Sequence, residues 1–292
     1  MCEFCTKHGE GKKWYLQMKN YSEELRHARL SLAQRKYINL PTRAAWLERF
    51  FSGFVLGTSG RAELPESAAP QSKPKAMRPP TEAEIVKESQ VVHFGQVLPI
   101  EDCEAVIDLV DSITRLPCGC RLMTTGKADQ RYCFGVGIDT WGILGKFPDG
   151  SFEVLNKREA KRLFREYDRE GLIHSVWTGV TPYVVGLCNC DHDCAAYRGY
   201  IEKNGPPNFF RAEYVAQVDW NLCTGCKSCM RQCQFGSMFY SSALARVHID
   251  PVRCFGCGVC RAACKKDAIS LMPRQKEPKA ANIWLRPPVK TA

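Results

Sequence analysis

A chain of 292 residues that is 45% hydrophobic and 25% charged has globular composition and a length suited to two domains. Its most hydrophobic stretch, 50–57, follows Glu48 and Arg49 and falls far short of the roughly 20 residues a bilayer crossing needs, and no basic segment leads an apolar run at the start. No transmembrane helix or secretory signal is therefore expected. The formal charge of +10 comes without a dense Lys/Arg stripe interleaved with aromatics, which argues against nucleic acid and leaves an acidic partner, an anionic membrane surface or a plain solvated surface.

The chain opens on Cys2-x-x-Cys5-x-x-His8, a group able to help bind a metal, although a mobile terminus is the plainer reading. The spacing is not C-x-x-C-H, which disfavours haem attachment. Residues 21–37 read as a basic helix capped by Ser22, with Leu25, Ala28, Leu32 and Lys36 along one side. Trp46, Phe50 and Phe54 recur every fourth residue beside Leu47, Phe51 and Val55, a stripe that must be buried on its own protein, a partner or a membrane surface. Pro65, Pro70, Pro74, Pro79 and Pro80 mark 61–83 as a linker, so 1–60 is expected to be a helical docking arm.

Ile100, Cys103, Val106, Ile107, Val110 and Ile113 follow helical spacing up to Pro117, with Cys103 read as core. A second helix is framed by a capping box, Asn156 with Glu159, carries Leu163, Phe164 and Tyr167, and stops at Gly171. Strands are expected over 172–178 and 181–187. The two C-x-C pairs, Cys118/Cys120 and Cys188/Cys190, with Cys133 and Cys194, make six candidate ligands in a small α/β domain spanning 84–211. C-x-C-R, a distal Cys, a helix ending Glu-Gly-Leu and C-N-C resemble a cysteine-rich domain of multi-cluster iron-sulfur proteins of anaerobes. The preferred reading is a third [4Fe-4S] cluster on four of the six; structural zinc, free buried thiols and a redox dithiol remain as alternatives.

Cys223-x-x-Cys226-x-x-Cys229-x-x-x-Cys233 is repeated, after twenty intervening residues, as Cys254-x-x-Cys257-x-x-Cys260-x-x-x-Cys264. Three Cys spaced by two residues can wrap one face of a cubane while short turns point N–H groups at its sulfurs. Residues 212–273 resemble the bacterial two-[4Fe-4S] ferredoxin family: Val218-Asp219-Trp220, Ile249-Asp250 and Arg253, Gly225, Gly256 and Gly258, and Ala268-Ile269-Ser270-Leu271 all fit. The ligation this resemblance implies is crossed. Cys223, Cys226, Cys229 and Cys264 hold cluster one, and Cys254, Cys257, Cys260 and Cys233 hold cluster two. The family's Pro after each fourth Cys is replaced by Gln234 and Lys265, an added N–H at each site that is expected to raise the potentials. Two clusters of charge 2− each lower the net charge to about +6.

The fold class expected is α+β: a helical N-terminal arm, a linker, a Cys-rich α/β domain, the 212–273 ferredoxin module and a Pro-rich tail at 274–292 containing Trp284 and Leu285. The function expected is an electron-transfer subunit passing single electrons between redox subunits of a larger oxidoreductase, in the cytoplasm or peripheral on the inner face of the membrane. The extra surfaces beyond a sixty-residue module imply docking, to an acidic or membrane-associated oxidoreductase. The rival reading is an iron-sulfur enzyme with its substrate site at a cluster in the middle domain. No Gly-rich phosphate loop or nucleophile-base motif supports it.

Overall fold

The computed structural model describes residues 2–21, 95–110, 113–127, 129–136, 153–180, 183–202 and 210–285. Its centre is a six-stranded antiparallel sheet built from β1 (Gly95–Leu98), β2 (Ile113–Leu116), β3 (Cys133–Val136), β4 (Glu153–Leu155), β5 (Ile173–Val180) and β6 (Tyr183–Cys190), in the order β1-β5-β6-β3-β2-β4. Side chains alternate across a strand, so Leu98, Phe134, Val176 and Leu187 share one face. That face is buried against Cys103, Val106 and Ile107 of α2 (Ile100–Leu109) and Leu163, Phe164 and Tyr167 of α4 (Lys157–Glu170). Burying a side chain such as Phe164 stabilises the domain by about 1.5–3 kcal/mol.

The capping box forms as expected. The Glu159 N–H donates to Asn156 Oδ1 at 3.0 Å, the Asn156 N–H donates to Glu159 Oε2 at 3.1 Å, and Gly171 ends α4 at φ 89°. The first helix is shorter than its periodicity suggests. It stops at Leu109, Val110 is extended, and Ile113 belongs to β2, where it pairs with Val136 and Leu155. Ladder bonds on both sides of a β-branched residue outweigh continuation of the helical stripe. Strand β6 also runs beyond the expected end at 187, through Cys190.

Residues 2–21 of the expected arm are built into the body. Helix α1 (Glu3–Gly9) leads to 3₁₀ turns at Trp14–Leu16 and Met18–Asn20, and Phe4, Trp14 and Tyr15 join the core under α2. Trp14 Nε1 donates to Gln96 Oε1 at 2.6 Å, Tyr15 Oη to Asp102 at 2.7 Å, and Lys13 Nζ pairs with Asp102 at 2.6 Å. These bonds satisfy polar groups that burial would otherwise penalise. Most of the basic helix expected over 21–37, the Trp46–Phe54 stripe and the linker at 61–83 lie outside the described residues.

Phe210 bridges to Gln96 at the β1 edge and leads into the C-terminal module. There β7 (Tyr214–Val218) pairs with β10 (Ile269–Pro273), β8 (Met238–Ser241) pairs with β9 (Arg246–Ile249), and the short helices α6 (Ser228–Gln232) and α7 (Val259–Ala262) lie between. Arg261 forms a bidentate pair with Glu101 of α2 at 2.7 Å for each bond. The start of the expected tail is packed too. Arg274 is fully buried, and the Trp284 carbonyl accepts the Arg211 N–H at 2.9 Å.

Candidate iron-sulfur centre

The two cysteine runs of the C-terminal module are conformational copies. Gly225 and Lys227 adopt φ of 69° and 65°, and Gly256 and Gly258 adopt 74° and 82° at the matching positions. These left-handed residues turn each C-x-x-C-x-x-C run back on itself. Gly225 and Gly256 have no alternative: a Cβ would stand 2.3 Å from the Ala245 carbonyl oxygen in one and 2.1 Å from that of Tyr214 in the other. Backbone N–H groups aim at the sulfurs, Ser237 to Cys233 at 3.5 Å, Ala268 to Cys264 at 3.3 Å and Ala216 to Cys254 at 3.5 Å.

Cys223, Cys226 and Cys229 of the first run and Cys264 of the second line one cavity of about 290 Å³, rimmed by Lys227, Lys265 and Lys266. The complementary set also gathers. Cys233 lies close enough to Cys254, Cys257 and Cys260 that, after burial, its charge helps raise all three thiols. The two sets differ in surroundings. Cys226 is exposed, and the Ser228 N–H holds its thiol below the ordinary value, whereas Cys254 and Cys260 are buried. Two buried arginines flank Cys254, whose carbonyl accepts from Arg211 Nη1 at 3.1 Å and from Arg274 Nη2 at 3.0 Å. Burial pushes both guanidinium groups down to about 10, so they remain cationic at neutral pH.

The middle cysteines occupy the sheet face opposite α2 and α4. Cys133 on β3 sits directly across from Cys188 on β6, and Cys190 follows two residues on, hence on the same face. The hydrophobic pattern ends this strand at 187, before the pair; its extension through Cys190 is what orients them. Cys118 lies between β2 and α3 (Gly119–Thr125), Cys120 lies on α3, and Cys194 precedes α5 (Ala195–Tyr197). The first C-x-C pair thus follows a strand, not the helix expected from the periodicity.

The six thiols make two strings. In one, Cys188 donates to Cys133 and Cys133 to Cys118, each at 3.6 Å; in the other, Cys194 donates to Cys190 at 3.4 Å and hydrogen-bonds Cys120. Arg121 stands between them, fully buried, with Nη1 donating to the Asn189 carbonyl at 3.1 Å, Nη2 paired with Asp191 at 2.7 Å and its plane over Tyr132. The Cys133 hydrogen bond and the Arg121 backbone and side chain hold Cys118 down at about 6. No three of these sulfurs lie within 4.8 Å of one another.

Two residues singled out as departures have structural work. Gln234 accepts the Tyr197 hydroxyl at its carbonyl and donates its side-chain amide to the Gly171 carbonyl, tying the module to the middle domain. Lys265 stands at the first cavity. At the same interface the rings of Phe235 and Phe255 stack, in an apolar cluster that includes Cys190, Cys194 and Cys257. Cys103 is fully buried under the sheet and belongs to none of these groups. Cys2 and Cys5 are buried rather than mobile and meet Glu213, a residue that no sequence spacing singles out.

Residues 222–269 match the family model of the 4Fe-4S dicluster domain. The chain is 36% identical over 59 residues to the archaeal-type glutamate synthase (NADPH) of Thermotoga maritima, which covers 20% of this chain and 12% of that protein. It is 32% identical over 76 residues to the indolepyruvate oxidoreductase subunit IorA of Pyrococcus abyssi, covering 26% and 11%. The chain thus spans about a tenth of the length of these curated relatives. The match makes 222–269 an iron-sulfur module and supports electron transfer in general terms. No described helix is long and apolar enough to cross a membrane.

Proposed function

We propose that this chain is the electron-relaying subunit of an oxidoreductase complex, with two [4Fe-4S] clusters in 212–273 and a third among the cysteines of 84–211. A bound cluster of this type accepts and releases one electron at a time. The observation that carries the reading is the convergence of Cys264 with Cys223, Cys226 and Cys229 on one cavity. Those four hold cluster one; Cys254, Cys257, Cys260 and Cys233 hold cluster two. Each chain run supplies three ligands to one site and one to the other, so neither site is complete without both.

Support for the third cluster is the spread of the middle sulfurs. A single tetrahedral zinc draws its ligands to edges of about 3.8 Å, given Zn–S near 2.3 Å. Cys118, Cys120, Cys133, Cys188, Cys190 and Cys194 meet that edge only between neighbours, at 3.4–3.6 Å along two strings with no focal trio, so no one zinc gathers them, while non-neighbouring members of the strings leave room for four ligands around a larger core. The buried Arg121 offsets thiolate charge there.

The three sites form a sequence in space. Cluster one faces solvent at Cys226 with Lys227, Lys265 and Lys266 around it, which suits an acidic redox partner. Cluster two lies between it and the middle cysteines, across Phe235 and Phe255. Of the docking arm expected over 1–60, the part proposed to meet the partner is 22–60, which lies outside the described residues. Iron and acid-labile sulfide measured on anaerobically reconstituted protein test the reading: about twelve of each are expected, from four per cubane. A plateau at eight iron overturns the third cluster, and a plateau below eight overturns the relay.

A further inference from the structure

The N-terminal segment meets the start of the dicluster module at a second constellation of ligand atoms, one that uses none of the clusters' cysteines. Cys2 caps α1 and Cys5 lies one turn inside it, with their sulfurs 3.7 Å apart. Cys5 Sγ is 3.0 Å from Glu213 Oε1, across 208 residues of sequence, and the Cys2 N–H donates to the same oxygen at 3.3 Å. All three side chains are buried, and their ligand atoms lie within 4.8 Å of one another.

We propose that Cys2, Cys5 and Glu213 bind a single divalent zinc ion. The sulfur spacing matches the edge of about 3.8 Å that two thiolates subtend at a zinc with bonds near 2.3 Å. The sulfur-to-oxygen contact needs to open by only about half an ångström to reach the corresponding edge, with Zn–O near 2.0 Å. Two thiolates with one carboxylate form a borderline-soft set that suits zinc over magnesium or calcium. His8, grouped with these cysteines by spacing, is not one of the trio; its ring lies against Phe4. Three protein ligands leave the fourth tetrahedral position to a water.

The site lies at a seam. Glu213 immediately precedes β7, and the next residue, Tyr214, shares Asp102 of α2 with Lys13 and Tyr15 of the N-terminal segment. An ion there pins the N-terminal segment to the start of the dicluster module, beside their shared contact with Asp102 of the middle domain. Its chemistry is separate from the cluster assignment, so either reading can fail alone.

The test uses the full chain, reconstituted anaerobically with iron and sulfide, given zinc and desalted. Wild type is expected to retain one zinc per chain more than Cys2→Ser/Cys5→Ser, with equal iron and equal cluster absorption in both. Glu213→Gln is expected to bind that zinc at least 100-fold more weakly. Zinc X-ray absorption of the wild type is expected to show a mixed shell, sulfur near 2.3 Å and oxygen at about 2.0–2.2 Å. Equal zinc in wild type and the double variant, or a shell of sulfur alone, overturns the site. The wild-type spectrum decides even if the variant fails to fold.

Discussion

Phe235 and Phe255 stack face to face, ring centroids 4.0 Å apart and planes 7° from parallel, where the dicluster module meets the cysteine-bearing side of the sheet. Phe255 also lies under the Arg211 guanidinium, 4.4 Å from its ring centroid. Each aromatic follows a cysteine of a different run, Phe235 two residues after Cys233 and Phe255 directly after Cys254. Phe255→Ala should leave the first site unchanged and loosen the contact between the second site and the middle domain. A loss of about 3–5 kcal/mol is expected for truncating a buried Phe. Freeze-quench electron paramagnetic resonance should show cluster one reduced at the wild-type rate and slower electron arrival at the middle domain; unaltered arrival refutes the path through these rings.

Crossed ligation makes an asymmetric prediction. Cys233→Ser should perturb the cluster held by Cys254, Cys257 and Cys260, although Cys233 belongs to the first run. Mössbauer or paramagnetic resonance spectra should change in one cluster only, the one also lost in Cys257→Ser. Loss matching that of Cys226→Ser instead would show each run ligating its own cluster.

The buried arginines should set the two potentials apart. Arg274 donates to the Ala212, Tyr214 and Cys254 carbonyls and keeps its charge beside Cys254. A fixed cation favours the more negative, reduced form, so Arg274→Gln should lower the potential of the second cluster by about 60 mV or more, about 1.4 kcal/mol for one electron. Arg274→Lys, which keeps the charge, should recover most of the shift. A redox titration in which both clusters move together would refute the assignment.

The beginning of the chain should behave as core. Trp14→Ala leaves a cavity beside Phe4 and strips Gln96 Oε1 of its donor, with an expected loss of about 3–5 kcal/mol. Deleting 2–21 should lower the melting temperature sharply and reduce cluster content. Deleting 22–60 should preserve both and abolish capture of the partner complex. If the second deletion also sheds iron, the Trp46, Phe50 and Phe54 stripe packs on its own protein.

Much of the dicluster module was legible because its information is local. Four cysteines within eleven residues define a run, and glycines at fixed offsets permit the left-handed turns at φ 69° and 74° that a Cβ would block. The α4 helix was legible for the same reason, since Asn156, Glu159 and Gly171 act on backbone groups within one turn. What tertiary structure decided was which distant groups meet. Antiparallel register placed Cys133 opposite Cys188, and extension of β6 through Cys190 put that residue on the same face, which the hydrophobic pattern alone did not indicate. Folding of residues 2–21 under α2 brought Cys5 against Glu213, where an apparent flexible terminus became buried structure. Such meetings depend on strand pairing and on the burial of whole faces, which sum over the domain; a side chain's near neighbours in sequence carry almost none of that information.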